Sequence, residues 1–311
     1  MQKSLVLGSM CAAIVGLAEA LATGAPPSDA RRTLSDERTL IVDGRTRTYR
    51  VYRPSRLGRE TAVPLILVLH AGFGTARNAE SSYDWDALAD EAGFVVVYPE
   101  GFLRAWNAGD FCCGLSVTQN VDDVGFLVAL IEQVEKKEHI DRRRIFAAGL
   151  SNGAMMAYRL ACEAPGRLAS VGAVAGTMTV PCTNGKPTSI LAIHGLADRH
   201  IPFAGGYPTT GVNKTSLHRA VPDVIRQWRQ INTCKRSVTE TSGAVTRDRA
   251  SCASGREVTL ITIADAGHQW PGGQPLGKAA VKLLHLDQPS PALNATRTLW
   301  MFFQSHSLPE P

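Results

Sequence analysis

Ile145-Phe146-Ala147-Ala148-Gly149-Leu150-Ser151-Asn152-Gly153 is an apolar run that ends in G-x-S-x-G. The run reads as a buried strand, and Ala154-Met155-Met156-Ala157-Tyr158-Arg159-Leu160 behind it has good helix-forming character. A serine between them sits on a tight strand-to-helix turn, whose flanking positions must be small and whose hydroxyl stands open at the strand tip. The helix N-terminus then lies under the serine, where backbone N–H groups favour developing negative charge. A strand feeding a helix in this way is the unit of a parallel sheet covered on both faces.

The same alternation runs outward in both directions. Thr39–Val42 and Thr46–Tyr52 read as strands around Asp43-Gly44, a hairpin turn signal. Pro64–Leu69 is a continuous apolar run, as in a buried parallel strand. A helix over Asn78–Ala92, a strand over Phe94–Tyr98 and a helix over Asp122–Lys136 follow, the acids Asp122 and Asp123 favouring the last one's N-terminus. Beyond the serine come short strands at Val171–Ala175 and Ile190–Ile193, a helix at Pro222–Gln230, a strand at Val258–Ile263 and a closing amphipathic helix at Thr296–Gln304. The expected fold is α/β: a mostly parallel central sheet, helices on both faces, and an N-terminal antiparallel hairpin.

Ligands bind at the carboxyl ends of such strands. Three ends carry candidate catalytic groups. Ser151 is the first. Ile190-Leu191-Ala192-Ile193 runs into His194-Gly195-Leu196-Ala197-Asp198, and Leu260-Ile261-Thr262-Ile263 into Ala264-Asp265-Ala266-Gly267-His268-Gln269-Trp270. The order Ser, Asp, His is that of α/β-hydrolases. In this reading His268 takes the proton of Ser151 and returns it to a leaving group, and Asp198 fixes the imidazole tautomer. Asp265 competes with Asp198 for the acid but reads as a turn residue on the histidine's own loop. His194 and His200 compete for the base, and His194 reads as a residue that orders the acid loop. An oxyanion hole needs two backbone donors. One is the N–H of Asn152, and the other is that of Gly72 or Phe73 in Leu69-His70-Ala71-Gly72-Phe73-Gly74. Trp106 and Trp270 are candidate substrate-binding walls, with loop packing as the competing reading.

Bulk properties bound the rest. Of 311 residues, 1–22 read as a signal peptide, with Lys3, an apolar stretch from Leu5 to Leu17 and small-residue cleavage sites around Ala18–Ala22. That stretch falls short of the ~20 residues of a membrane span, so a retained anchor is the weaker alternative. Residues 23–37 read as a disordered segment, and 38–311 as a single catalytic domain. Secretion puts the six cysteines beyond Cys11 in an oxidising compartment. Local geometry pairs Cys162 with Cys182, and Cys234 with Cys252 across a hairpin. Cys112 and Cys113 form a vicinal bridge or stay reduced. No Cys/His spacing resembles a metal site, and no cofactor motif is present. The net charge of +5 is dispersed. Its densest run, Arg142-Arg143-Arg144, reads as a solvated loop rather than a nucleic-acid contact. There is no repeat, no low-complexity linker, and no stable membrane partner is expected.

Together, His70-Ala71-Gly72, Tyr98-Pro99-Glu100-Gly101, Trp106-Asn107-Ala108-Gly109, Cys112-Cys113-Gly114 and Val121-Asp122-Asp123-Val124-Gly125-Phe126 form an ordered set. Gly149–Met156, His194–Asp198 and Gly267-His268-Gln269-Trp270-Pro271-Gly272-Gly273 complete it. The set resembles the secreted polyhydroxybutyrate depolymerase and feruloyl esterase-like family of α/β-hydrolases. The resemblance implies carboxylic ester hydrolysis by a serine triad without metal or organic cofactor, with Ser151 as nucleophile, Asp198 as acid and His268 as base. The implied substrates are hydroxyalkanoate esters or oligomers, or else hydroxycinnamoyl or acetyl esters of plant polysaccharide. One position departs from the family: His-Gly is usual where this chain has His70-Ala71, and a positive φ there would strain the methyl-bearing residue. A peptidase on the same fold would add a propeller or lid domain. A non-catalytic binding protein would have lost a triad member, whereas all three candidates are present.

Overall fold

The computed structural model describes residues 35–109, 114–211, 214–275, 277, 281 and 286–309. The expected signal peptide, most of the N-terminal segment, and Cys112 and Cys113 lie outside them.

Among the described residues, ten strands form one sheet in the order β1-β2-β4-β3-β5-β6-β7-β10-β9-β8. The centre is β4 (Val95–Pro99), β3 (Val63–Leu69), β5 (Ile140–Leu150), β6 (Ser170–Val174), β7 (Ser189–Gly195) and β10 (Glu257–Ile263), all parallel. Every residue of β3, β4, β6 and β7 is buried, which is why these strands read as unbroken apolar runs rather than alternating ones. Alternate residues feed two cores. Leu65, Leu67 and Leu69 face one, with Phe126, Met155 and Trp228. Ile66 and Val68 face the other, with Trp85, Leu299 and Phe303. The first core is closed by α4 (Asp123–Lys137), α5 (Asn152–Glu163) and α6 (Val221–Ile231). The second is closed by α1 (Ala76–Ser82), α2 (Trp85–Ala92) and α7 (Ala295–Gln304). A short α3 (Leu115–Thr118) follows β4.

Three points differ from expectation. The strand β1 (Asp36–Val42) pairs antiparallel with β2 (Arg45–Tyr52) from Asp36 onward, so ordered chain begins before residue 38. Polarity concealed this: Glu37 pairs with Arg50, whose buried guanidinium also bonds Glu80 and the Ser35 carbonyl. The single helix expected over 78–92 is two, broken where Asp84 takes φ 57°. At the break, Tyr83 stacks on Trp270 at 4.3 Å and its carbonyl accepts the Thr296 hydroxyl. The hairpin expected between Cys234 and Cys252 is present as β8 (Val238–Ser242) and β9 (Val245–Ser251), which add antiparallel to β10 at the far edge of the sheet. Every residue of β8 is exposed, so its sequence carries no alternation to read. Finally, α3 has no counterpart in the sequence reading.

The cysteine pairs are as expected. Cys162–Cys182 ties the end of α5 to the segment before β7, and Cys234–Cys252 closes the base of the β8–β9 hairpin. Among the described residues, no helix is long and apolar enough to cross a membrane.

Candidate active site

Ser151 occupies the turn between β5 and α5 with φ 57° and ψ −119°, a conformation that non-glycine residues adopt only where surroundings enforce it. Close approach explains its glycines. A Cβ on Gly149 would lie 2.4 Å from the Gly153 carbonyl carbon, and one on Gly153 would lie 2.3 Å from the Leu69 oxygen. The Ser151 N–H donates to Val174 O at 2.9 Å, and its carbonyl accepts the Met155 N–H at 3.0 Å. The serine is thus fixed between strand tip and helix start.

The other strand ends are laced to this one. Ala175 N–H donates to Ile193 O, Leu196 N–H to Ile263 O, and Ala197 N–H to Ala266 O. Asp198 is buried just past β7, and His268 lies on the loop after β10. The His268 Nδ1 is 2.7 Å from Asp198 Oδ2, so Nδ1–H donates to the carboxylate and Nε2 is left for proton transfer. Asp198 Oδ1 accepts the N–H groups of His200 and Ile201 at 2.8 and 2.9 Å. Burial alone would raise the Asp198 pKa, but His268, His194 and the Ile201 N–H outweigh it and hold the carboxyl below its ordinary range.

The rival residues separate cleanly. Asp265 is exposed, and the carboxylate against Nδ1 is that of Asp198. His194 donates from Nε2 to Ile201 O at 2.8 Å, and burial holds it neutral, so it orders the acid loop. His200 stacks on His268, with ring centroids 4.9 Å apart. The sequence reading missed Asp287, whose Oδ2 accepts the His268 N–H at 2.7 Å and pins the histidine loop. No sequence motif marks Asp287.

In the loop after β3, the positive φ falls at Phe73 (63°), and Ala71 keeps negative φ. The methyl of Ala71 therefore imposes no backbone strain. The Phe73 N–H donates to Arg104 O at 2.7 Å, so of the two expected loop donors Phe73 is engaged elsewhere and Gly72 stays the candidate. The two tryptophans are not substrate walls. Trp106 is fully buried and its Nε1–H donates to His70 O at 3.0 Å. Trp270 is buried between Tyr83 and Trp85, with its Nε1–H on Thr296 Oγ1 at 2.9 Å.

His70 anchors this loop as a neutral ring. Its Nδ1–H donates to Ala71 O at 2.8 Å, and its Nε2 accepts the Gly101 N–H at 2.9 Å. Burial lowers its pKa to about 4, with Arg104 and Arg47 adding to the effect against the Ala71 hydrogen bond. The unfolded chain, with histidine near 6.5, takes up this proton first. Stability therefore falls as pH drops from about 6.5 to about 4, by up to about 3 kcal/mol from this residue. Urea unfolding at pH 7 and pH 4.5 should show a smaller loss in His70→Gln than in wild type. Equal losses would remove His70 from the account.

Comparison with known proteins fits this geometry. Residues 47–198 match the family model described as Esterase PHB depolymerase. The chain is 32% identical over 267 residues to "Putative esterase NocK" of Nocardia uniformis subsp. tsuyamanensis, covering 80% of this chain and 76% of that protein. It is 26% identical over 226 residues to feruloyl esterase B of Piromyces equi, covering 69% of this chain but 41% of that longer protein. Among solved structures, an acetyl xylan esterase from Aspergillus awamori superposes with a TM-score of 0.56 at 14% identity, over 80% of this chain and 99% of that one. The last likeness is one of fold. The chain belongs to the PHB depolymerase and feruloyl esterase-like family of α/β-hydrolases, a family of carboxylic ester hydrolases.

Proposed function

We propose that the protein is a secreted serine esterase that works through an acyl-enzyme on hydroxyalkanoate esters or their oligomers. The observation that carries the mechanism is the 2.7 Å bond between Asp198 and His268 at the sheet edge where the strained Ser151 stands. Ser151 Oγ attacks the ester carbonyl as His268 Nε2 takes its proton, and the imidazolium formed is stabilised by Asp198. The oxyanion lies against the N–H groups of Asn152 and Gly72. His268 then passes the proton to the leaving alcohol, and water attacks the acyl-enzyme by the reverse sequence.

The hydroxyalkanoate reading rests on the family model matched by residues 47–198. Feruloyl or acetyl ester hydrolysis is the second reading, favoured by the relatives of those names. Secretion rests on the N-terminal apolar stretch and the two disulfides. The test is a comparison of kcat/KM for 3-hydroxybutyrate oligomers, methyl ferulate and acetylated xylan. Oligomers are expected to lead by about tenfold or more, a difference of about 1.4 kcal/mol in transition-state binding. Preference for methyl ferulate or acetylated xylan would transfer the assignment to the second reading.

A further inference from the structure

We infer that Trp106 is a positioning residue that couples the two halves of the oxyanion hole, an inference that rests on the serine esterase reading above. Two separate chain segments supply the two donors. One is the start of α5, through the N–H of Asn152. The other is the loop after β3, through the N–H of Gly72. The pairing of β3 with β5 and the close packing of Gly153 on the Leu69 and His70 carbonyls bring the two segments together as far as His70, and Gly72 lies two residues beyond.

Trp106 touches both segments. Its backbone N–H donates to Asn152 Oδ1 at 2.7 Å, and its carbonyl accepts the Asn152 Nδ2 at 3.1 Å. The Asn152 side chain is therefore clamped from both ends by one residue's main chain. The indole Nε1–H of the same residue donates to His70 O at 3.0 Å, two residues before Gly72. The His70 ring, itself bonded to Ala71 O and Gly101 N–H, lies 5.0 Å from the indole. Trp106 is fully buried, so water does not compete for these bonds.

The segment around Trp106 is rigid for reasons of its own. Asn107 N–H donates to Asp123 Oδ2 at 2.7 Å, and Asn107 O accepts Arg159 Nη1 at 2.7 Å. Asp123 in turn holds the buried Arg47 at 2.6 Å. Asn107 Nδ2 donates to Val121 O, and Ala108 O accepts the Thr179 hydroxyl. Arg47, Asp123 and Arg159 are thus a scaffold on which Trp106 is mounted. An oxyanion donor acts only within a few tenths of an ångström of its place, and a donor about 1 Å out loses about 10²-fold in rate. Loss of the indole N–H leaves the His70 carbonyl without that bond, and the Gly72 side of the site then relies on the His70 ring and on the Phe73 N–H bond to Arg104 O, neither of which ties it to the Asn152 side chain.

The experiment uses the intact protein and Trp106→Phe, which keeps an aromatic ring and removes the N–H. Ser151 is first labelled with a fluorophosphonate in wild type. An unlabelled wild type defeats the serine esterase reading, and this inference with it, whatever the variant does. With labelling established, kcat should fall about 10- to 100-fold with KM within about threefold. Affinity for a trifluoromethyl ketone, which becomes a tetrahedral adduct on serine, should fall in proportion to kcat/KM. Affinity for the product acid should not move. Asn152→Ala, which breaks the same clamp from the other side, should give the same pattern, and the double variant should cost little more than either single one. If Trp106→Phe fails to fold, the Asn152→Ala pattern alone decides. A rise in KM with kcat intact, or a loss of product affinity equal to that of the ketone, overturns the inference and leaves Trp106 a packing residue.

Discussion

Ser151→Ala is expected to lower kcat on a short-chain p-nitrophenyl ester by about 10⁴- to 10⁶-fold, with KM nearly unchanged. The magnitude follows from what is removed. Alanine lacks the only atom that forms the acyl bond, so His268 and Asp198 have no nucleophile to activate, and each loses its value with it. What survives is substrate binding and the oxyanion donors, worth about 10³- to 10⁴-fold over water. Stability should hardly change, because the backbone strain at φ 57° is shared by serine and alanine, and the Ser151 N–H and carbonyl keep their partners Val174 O and Met155 N. A fluorophosphonate should add mass to the wild type and none to the variant. A variant within tenfold of wild type, or one that still takes the label, would place the nucleophile elsewhere.

The three triad candidates were legible because each belongs to a local pattern: an apolar strand followed by small residues and one reactive group. The disulfides were legible for a similar reason, since each pair spans a short loop. What escaped the sequence depends on partners far along the chain. Asp122 and Asp123 are adjacent and alike. Asp122 caps α4 through the Gly125 N–H, while Asp123 is buried against Arg47, 76 residues earlier. Trp106 and Trp270 stand beside catalytic motifs in sequence, yet sequence does not disclose which way an indole faces. Both turn inward because a buried carbonyl and a buried hydroxyl take their N–H groups. The break at Tyr83 is set by Thr296, 213 residues away. Helix propensity over 78–92 was sound locally and was overridden by tertiary bonding. Asp287 pins the histidine loop through a backbone bond, for which any acceptor of the right reach would serve, so its residue type announces nothing.

Asp198→Asn is expected to lower kcat near neutral pH by about 10⁴-fold, and the hydrogen bonds around the carboxylate explain why so small a change costs so much. Oδ1 accepts two N–H donors, from His200 and Ile201. An amide in that place must keep its carbonyl oxygen toward them and turn its NH2 toward His268 Nδ1. His268 Nδ1 is then forced to accept, its proton moves to Nε2, and the nitrogen facing Ser151 loses the lone pair it needs. Removing the charge also takes away the stabilisation of the imidazolium formed in the transition state. In the wild type, Asp198 is held below its ordinary range, so the carboxylate persists in mild acid and its part in catalysis is lost only as pH falls through that depressed value. The sign for stability is the same. A depressed carboxyl pKa stabilises the fold above the unfolded value and loses that contribution as pH falls through the folded one, a dependence the asparagine lacks. Rates across pH, read beside urea unfolding, separate the two effects. Asp287→Asn is the control: it keeps an acceptor for the His268 N–H and should cost about tenfold or less. If Asp287→Asn proves the more damaging, then the histidine is oriented chiefly through its backbone, and Asp198 is not the acid of the triad.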